Sequence, residues 1–201
     1  MTTESARPRV RRTADERRRQ LIGIGLRLLA TRPIHELSID EVAAEAGISR
    51  GLLFHYFPTK RDYYVAVARA AGRRLLKHAT APESDDPTER LRGMVDGFVS
   101  FVRRRHDNYV ALARAGAGGD DQVLEAFGGV RAELTDRVLA AMGEPAAPPR
   151  VRFAVRGWLA MVEEMAIETP VDVLGTEELT DLLVRSLGRI LSSLAPTDPT
   201  P

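Results

Sequence analysis

Apolar residues recur along this chain at intervals of three and four, the period of a helix, and no alternating runs flank a hairpin turn signal. Leu21, Ile24, Leu28 and Leu29 stripe a first predicted helix from about Thr13 to Thr31. Thr13 and Glu16 have the spacing of a capping box at its start, and Pro33 stops it. A second helix spans about Ile39–Ala46 behind Ser38, with Glu41 at the matching capping position. Val42, Ala43 and Ala46 give it an inner face of small residues, and Gly47 ends it. Ser49 caps a short third helix, Arg50 to about Tyr56, which Pro58 closes. Thr59 caps a long fourth helix that runs through Tyr63, Val67, Ala70 and Leu75 to about Thr80.

Residues 81–87 read as a loop. Helical periodicity resumes over about Thr88–His106, with Leu91, Val95, Phe98 and Val102 on one stripe. A shorter piece, about Asp107–Ala115, precedes a helix from about Asp120 to Met142. The Pro-rich break 144–149 leads into about Arg150–Glu168, which carries Val151, Val155, Trp158, Val162 and Met165. After Thr169-Pro170, Thr176 is placed as the cap of a last helix to about Leu194. Leu179, Leu182, Leu183, Leu187, Ile190, Leu191 and Leu194 form its apolar stripe. The pattern predicts an all-α protein. A basic arm covers 1–12, a three-helix helix-turn-helix unit 13–60, a linking helix 61–80 and a helical bundle 81–194. A disordered tail, 195–201, ends the chain.

Charge changes the picture. The formal net charge is only +1, yet residues 1–80 hold 16 Lys+Arg against 8 Asp+Glu, and the rest holds 13 against 20. A basic front joined to an acidic back fits a chain in which one part meets a polyanion, or a basic face that is merely solvated. There is no cysteine, which removes disulfides, thiolate metal sites and thiol nucleophiles. His35, His55, His78 and His106 have no ligand spacing, so no metal and no cofactor is expected. Gly116-Ala117-Gly118-Gly119 follows no strand and lacks the Lys-Ser/Thr of a phosphate loop. Glu163 and Glu164 are adjacent and about 100° apart on a helix, so they do not form a catalytic pair. The N-terminus has no signal-peptide pattern, and no stretch reaches the ~18 apolar residues of a membrane span. The chain reads as cytoplasmic, with no membrane partner and no catalytic residues.

Residues 37–60, LSIDEVAAEAGISRGLLFHYFPTK, carry the chemistry. They form helix, tight turn at Ala46-Gly47-Ile48, helix. Ile48, Leu53 and Phe57 fill the small core beneath. Ser49, Arg50, Leu52, Phe54, His55 and Tyr56 are left around the outside of the short third helix. A capped N-terminus, one long donor and apolar or aromatic neighbours suit a reader of the major groove. An ordinary helical hairpin within a bundle has the same pattern.

Ala46, Gly47, Ile48, Ser49 and Gly51, followed by Phe54-His55-Tyr56-Phe57-Pro58-Thr59-Lys60, match in order and spacing the DNA-binding domain that this segment resembles, that of the TetR/AcrR family of bacterial repressors. The resemblance covers about Thr13 to Val67. It implies that Arg50 reads a base and that Leu52 and Phe54 contact bases or backbone. It implies backbone contacts from His55 and Tyr56, phosphate contacts from Lys60 and Ser38, and a place among the DNA-binding residues for the capping Ser49. Leu52 departs from a frequent threonine, which removes a hydroxyl hydrogen bond from the expected operator contacts. Arg7, Arg9, Arg11 and Arg12 read either as a solvated tail or as a minor-groove arm, in which Arg11 and Arg12 touch DNA.

The resemblance further implies a homodimer on double-stranded palindromic operator DNA, a dimer bundle made by the last two long helices, and a pocket for a small apolar or amphipathic effector. Phe98, Val102, Tyr109, Phe127, Trp158, Met161 and Met165 are the side chains available for that pocket. The Trp158, Met161 and Met165 group fits core or dimer interface equally well. Gly72, in mid-helix, reads as a flex point or as a close-packing position. Two rivals stay open: the same fold answering to a protein partner, and a helical-bundle enzyme.

Overall fold

The computed structural model describes residues 13–29, 36–107, 109–110, 113 and 121–194. The basic arm, the tail and Pro33 lie outside the described residues, as does most of the piece expected at 107–115. Among the described residues there are eight helices and no strand. They are α1 (Ala14–Leu28), α2 (Ile39–Ala46), α3 (Arg50–Tyr56), α4 (Lys60–His78), α5 (Pro87–Arg104), α6 (Asp121–Ala141), α7 (Pro149–Glu168) and α8 (Thr176–Ser192).

Local chemistry sets the helix ends. Thr13 and Glu16 close the capping box of α1 from both sides. Ser38 and Ser49 accept from the backbone N–H of Glu41 and Leu52, at 3.4 and 3.2 Å. Thr59 pairs with Asp62 in a second complete capping box. Gly47 ends α2 at φ 65°, a conformation that only glycine adopts without strain. Thr176 is not the cap of α8. Gly175 takes that position, and the Glu178 carboxylate accepts its N–H at 3.0 Å. The Thr176 hydroxyl instead accepts from Arg103, which also donates to the carbonyls of Thr169 and Leu174 and so ties down the turn before α8.

Two cores form, and α4 belongs to both. Leu21, Ile24, Leu37, Val42, Leu53 and Phe57 pack with Tyr63 and Val67 from the first half of α4. Leu75, from its second half, and Ala79, which caps its end, pack into the core of α5–α8 around Phe98, Val138, Trp158 and Leu183. At 19 residues α4 is a rod of roughly 28 Å. Both ends are gripped. The buried Tyr63 hydroxyl donates to the Leu21 carbonyl at 2.8 Å. At the far end Arg137 donates to the carbonyls of Leu76 and Ala79, capping the helix from α6.

Glycine allows the closest approaches. A Cβ on Gly25 would stand 2.5 Å from the Tyr63 hydroxyl, so α1 lies hard against α4. A Cβ on Gly72 would stand 2.4 Å from Cγ2 of Val130. Gly72 is therefore where α6 presses on α4, inside an unbroken helix.

Candidate nucleic-acid interface and ligand cavity

The second and third helices form a tight unit. Leu53 and Phe57 are fully buried and Ile48 is half-buried, so one face of α3 is fixed to the core. Ser49, Arg50, Gly51, Leu52 and His55 are exposed on the other. Leu52 is 40% exposed, unusual for a leucine on so short a helix, and its side chain is available to a thymine methyl. Phe54 and Tyr56 are half-buried and pack against the core, which makes them supports as well as edges of the exposed face.

Arg50 is not free. Its Nη1 lies 3.6 Å from Oδ2 of Asp40, at the start of α2, and its guanidinium sits 5.5 Å from the Phe54 ring centroid. Both ion-pair partners are largely exposed, so the pair contributes only about 0–1 kcal/mol and gives way to a better acceptor. Lys60, the first residue of α4, is exposed with its ammonium 5.1 Å from the Tyr64 ring centroid. The Ser38 oxygen caps α2, and its hydroxyl can still donate a hydrogen bond. Arg27 of α1 pairs with Glu45 of α2, and Arg17 reaches the carbonyl of Ala46 at 3.4 Å, so α1 braces the reading unit from behind. Arg11 and Arg12 lie outside the described residues.

A cavity opens between the two cores. Leu26 of α1 and Leu29, the residue that caps its end, form one wall, and Ala71, Gly72 and Leu75 of α4 the next. Phe98 and Phe101 of α5, Tyr109, and Phe127, Val130 and Leu134 of α6 continue it; Leu159, Ala160 and Glu163 of α7 close it. The cavity is small, about 100 Å³. It is thus a narrow cleft between side chains. The Tyr109 hydroxyl donates to Oε1 of Glu163 at 2.8 Å, and Arg131 donates to Oε2 at 3.2 Å. Burial, and then the Glu163 charge, push the Tyr109 phenol well above its usual range, so it stays a donor.

Residues 21–67 match the family model described as "Bacterial regulatory proteins, tetR family", and residues 87–189 match "Tetracyclin repressor-like, C-terminal domain". The chain belongs to the tetR family. It is a helix-turn-helix DNA-binding transcriptional regulator, in a family of regulators and not of enzymes. A tetR-family regulator of Streptomyces coelicolor superposes with a TM-score of 0.79 at 30% identity, over 93% of this chain and 85% of that one. The HTH-type transcriptional activator FasR of Mycolicibacterium smegmatis is 30% identical over 97 residues, 47% of this chain and 44% of that relative. The HTH-type transcriptional regulator EthR of Mycobacterium tuberculosis is 31% identical over 125 residues, 58% and 57% of the two chains. The chain thus matches less than two thirds of the length of these two relatives.

Within this tetR-family frame the side chains named for a pocket divide. Phe98, Tyr109 and Phe127 line the cavity. Trp158, Met161, Met165 and Val102 do not. Trp158 is 2% exposed and turned toward α8, where its Nε1 donates to the Leu183 carbonyl at 3.0 Å and to the Ser186 hydroxyl at 3.1 Å. Val102 is fully buried in the α5–α8 core, and Met161 and Met165 pack against that core from its edge. Helix spacing explains the split. Leu159 and Glu163, four apart, face the cavity, whereas Trp158 and Val162, one position earlier in each turn, face the neighbouring seam. Asp40, Leu26, Leu29 and Glu163 are absent from the sequence-based list. Nothing in the spacing tells that the end of α1 reaches the second core.

Proposed function

We propose that this regulator represses from a palindromic operator as a homodimer, and that a small apolar or amphipathic molecule bound in the cavity releases it. The observation that carries this is the composition of the cavity wall. Leu26 and the capping Leu29 stand at the end of the helix that braces α2 and α3, and Gly72 and Leu75 belong to the helix that starts at Lys60. A ligand entering so narrow a cleft displaces α1 and α4 together, the two elements that position the reading unit. Half-sites in the major groove lie about 34 Å apart, so a shift of a few ångströms in each protomer spoils the register of both. The ligand acts only through its preference for the displaced state; a hundredfold preference corresponds to about 2.7 kcal/mol.

The dimer is placed on the outer faces of α7 and α8. Phe153 is 73% exposed and Leu182 39%, on adjacent helices with open space around Gly157 and Gly188. Two such faces close a four-helix bundle about a two-fold axis, which matches a palindromic site. Repression follows from occupancy, since a dimer seated over a promoter excludes polymerase. DNA binding places the working protein with the chromosome, in the cytoplasm.

The test is operator affinity with and without a ligand found by thermal-shift screening, together with reporter transcription from the same operator. Tight binding of the ligand with unchanged operator affinity at saturation removes the release mechanism. Higher transcription in the presence of the unliganded protein reverses the sign to activation.

A further inference from the structure

We infer that the cavity takes a slim apolar ligand carrying an anionic head group, held by Arg74 of α4 and Arg105 at the end of α5, both of which line it. This rests on the reading of the cavity as the effector site and adds the ligand's chemical class. Among the described residues the cleft carries three guanidiniums, of Arg74, Arg105 and Arg131, and one carboxylate, Glu163. Glu163 is already engaged by Arg131 and the Tyr109 hydroxyl, which uses both of its oxygens. It has no charge to spare for a cationic ligand.

Arg74 and Arg105 differ. Among the described residues neither guanidinium makes an ion pair or a hydrogen bond, whereas Arg90, Arg103 and Arg137 each cap carbonyls at a helix end or turn. Arg105 is half-buried, and its guanidinium lies 4.7 Å from the Phe101 ring centroid, which fixes it beside the cavity wall. Burial, and the like charges of Arg74 and Arg104, lower its pKa. Two neighbouring cations with no counter-charge among the described residues, lining an apolar cleft, form the complement of an anion with an apolar tail. The narrowness of the cleft favours an unbranched tail. Carboxylate and phosphate heads share this chemistry.

Four ten-carbon probes separate the possibilities: decanoate, decyl phosphate, decanol and decyltrimethylammonium, each below its micellar concentration at ~0.15 M ionic strength. Calorimetric titration of the full chain is expected to show the anions binding about tenfold more tightly than decanol, as charge-assisted hydrogen bonds require. The stronger of the two anions identifies the head group. Arg74→Gln combined with Arg105→Gln should lower anion affinity about tenfold and leave decanol unchanged, with thermal unfolding confirming the fold. Arg73→Gln combined with Lys77→Gln, in the separate basic groove beside α4, should leave all four probes unchanged. Equal binding of decanol and the anions overturns the head-group assignment and leaves the effector cavity standing. So does preference for the cation, or sensitivity only to the Arg73 and Lys77 changes. Failure of all four probes to bind overturns the effector cavity for such ligands, and the head-group assignment with it.

Discussion

Arg50, at the start of α3, and Asp40, at the start of α2, hold each other across the turn with Nη1 3.6 Å from Oδ2. The exposed Arg50 side chain is therefore steered toward α2, beside an acidic group. Asp40→Asn should raise affinity for all DNA sequences by up to about fivefold, the equivalent of an exposed pair of less than ~1 kcal/mol. Anisotropy titration on specific and scrambled duplexes checks this; a loss of affinity would instead make Asp40 a structural support of α3.

Lys60 stands exposed at the start of α4, with Thr59 and Asp62 holding the helix end beneath it. Lys60→Ala should weaken binding to specific and unrelated duplexes alike and reduce the slope of log affinity against log salt by about 1. Unequal losses on the two duplexes would move Lys60 from phosphate to base contact.

Gly72 and Val130 give a stability test with a change of sign. Alanine for glycine in mid-helix gains about 1 kcal/mol from propensity alone. Here the added Cβ meets Val130 at 2.4 Å, and overpacking against a stiff β-branched side chain costs about 1–3 kcal/mol. Gly72→Ala should destabilise the chain in urea unfolding, and in a Val130→Ala background the same change should stabilise it. If Gly72→Ala stabilises both backgrounds, α4 and α6 are not in close contact.

The last helix gives a paired test of the proposed dimer. Leu187 stands at the centre of its apolar stripe in the sequence, but it is 1% exposed and packed into the protomer's own core. Leu187→Glu should therefore unfold the chain. Leu182→Glu, on the outer face, should leave a folded monomer that loses palindromic binding, read by sedimentation and thermal melting. A Leu182→Glu protein that remains dimeric would place the interface elsewhere.

How much of this was legible in the sequence depended on the range of the interaction. The capping pairs Thr13/Glu16 and Ser49/Leu52, the Gly47 stop and the buried Leu53 and Phe57 are set within a few residues, and their pattern is visible in the chain. Periodicity also predicted the helices, to within a residue or a few at their ends. It could not assign helix faces in the second half, where α7 is apolar on two sides. Trp158 and Leu159 are neighbours in sequence and both buried, yet one is bonded to α8 and the other lines the cavity. Only the packing angle of α7 against α6 and α8 decides that, and no local signal encodes it. The contribution of Leu26 and Leu29 to the cavity is likewise a contact across some hundred residues of sequence.

The central claim is that α3 reads an operator through Arg50. The most direct measurement is selection of duplexes from a random pool with the full chain, followed by anisotropy titration of the selected site at ~0.15 M salt for the parent protein and Arg50→Ala. The predicted result is a palindrome with half-sites about 34 Å apart, a loss of ~1–3 kcal/mol on Arg50→Ala, and relaxed preference at one base pair of each half-site. Unchanged affinity and unchanged base preference in Arg50→Ala would contradict it.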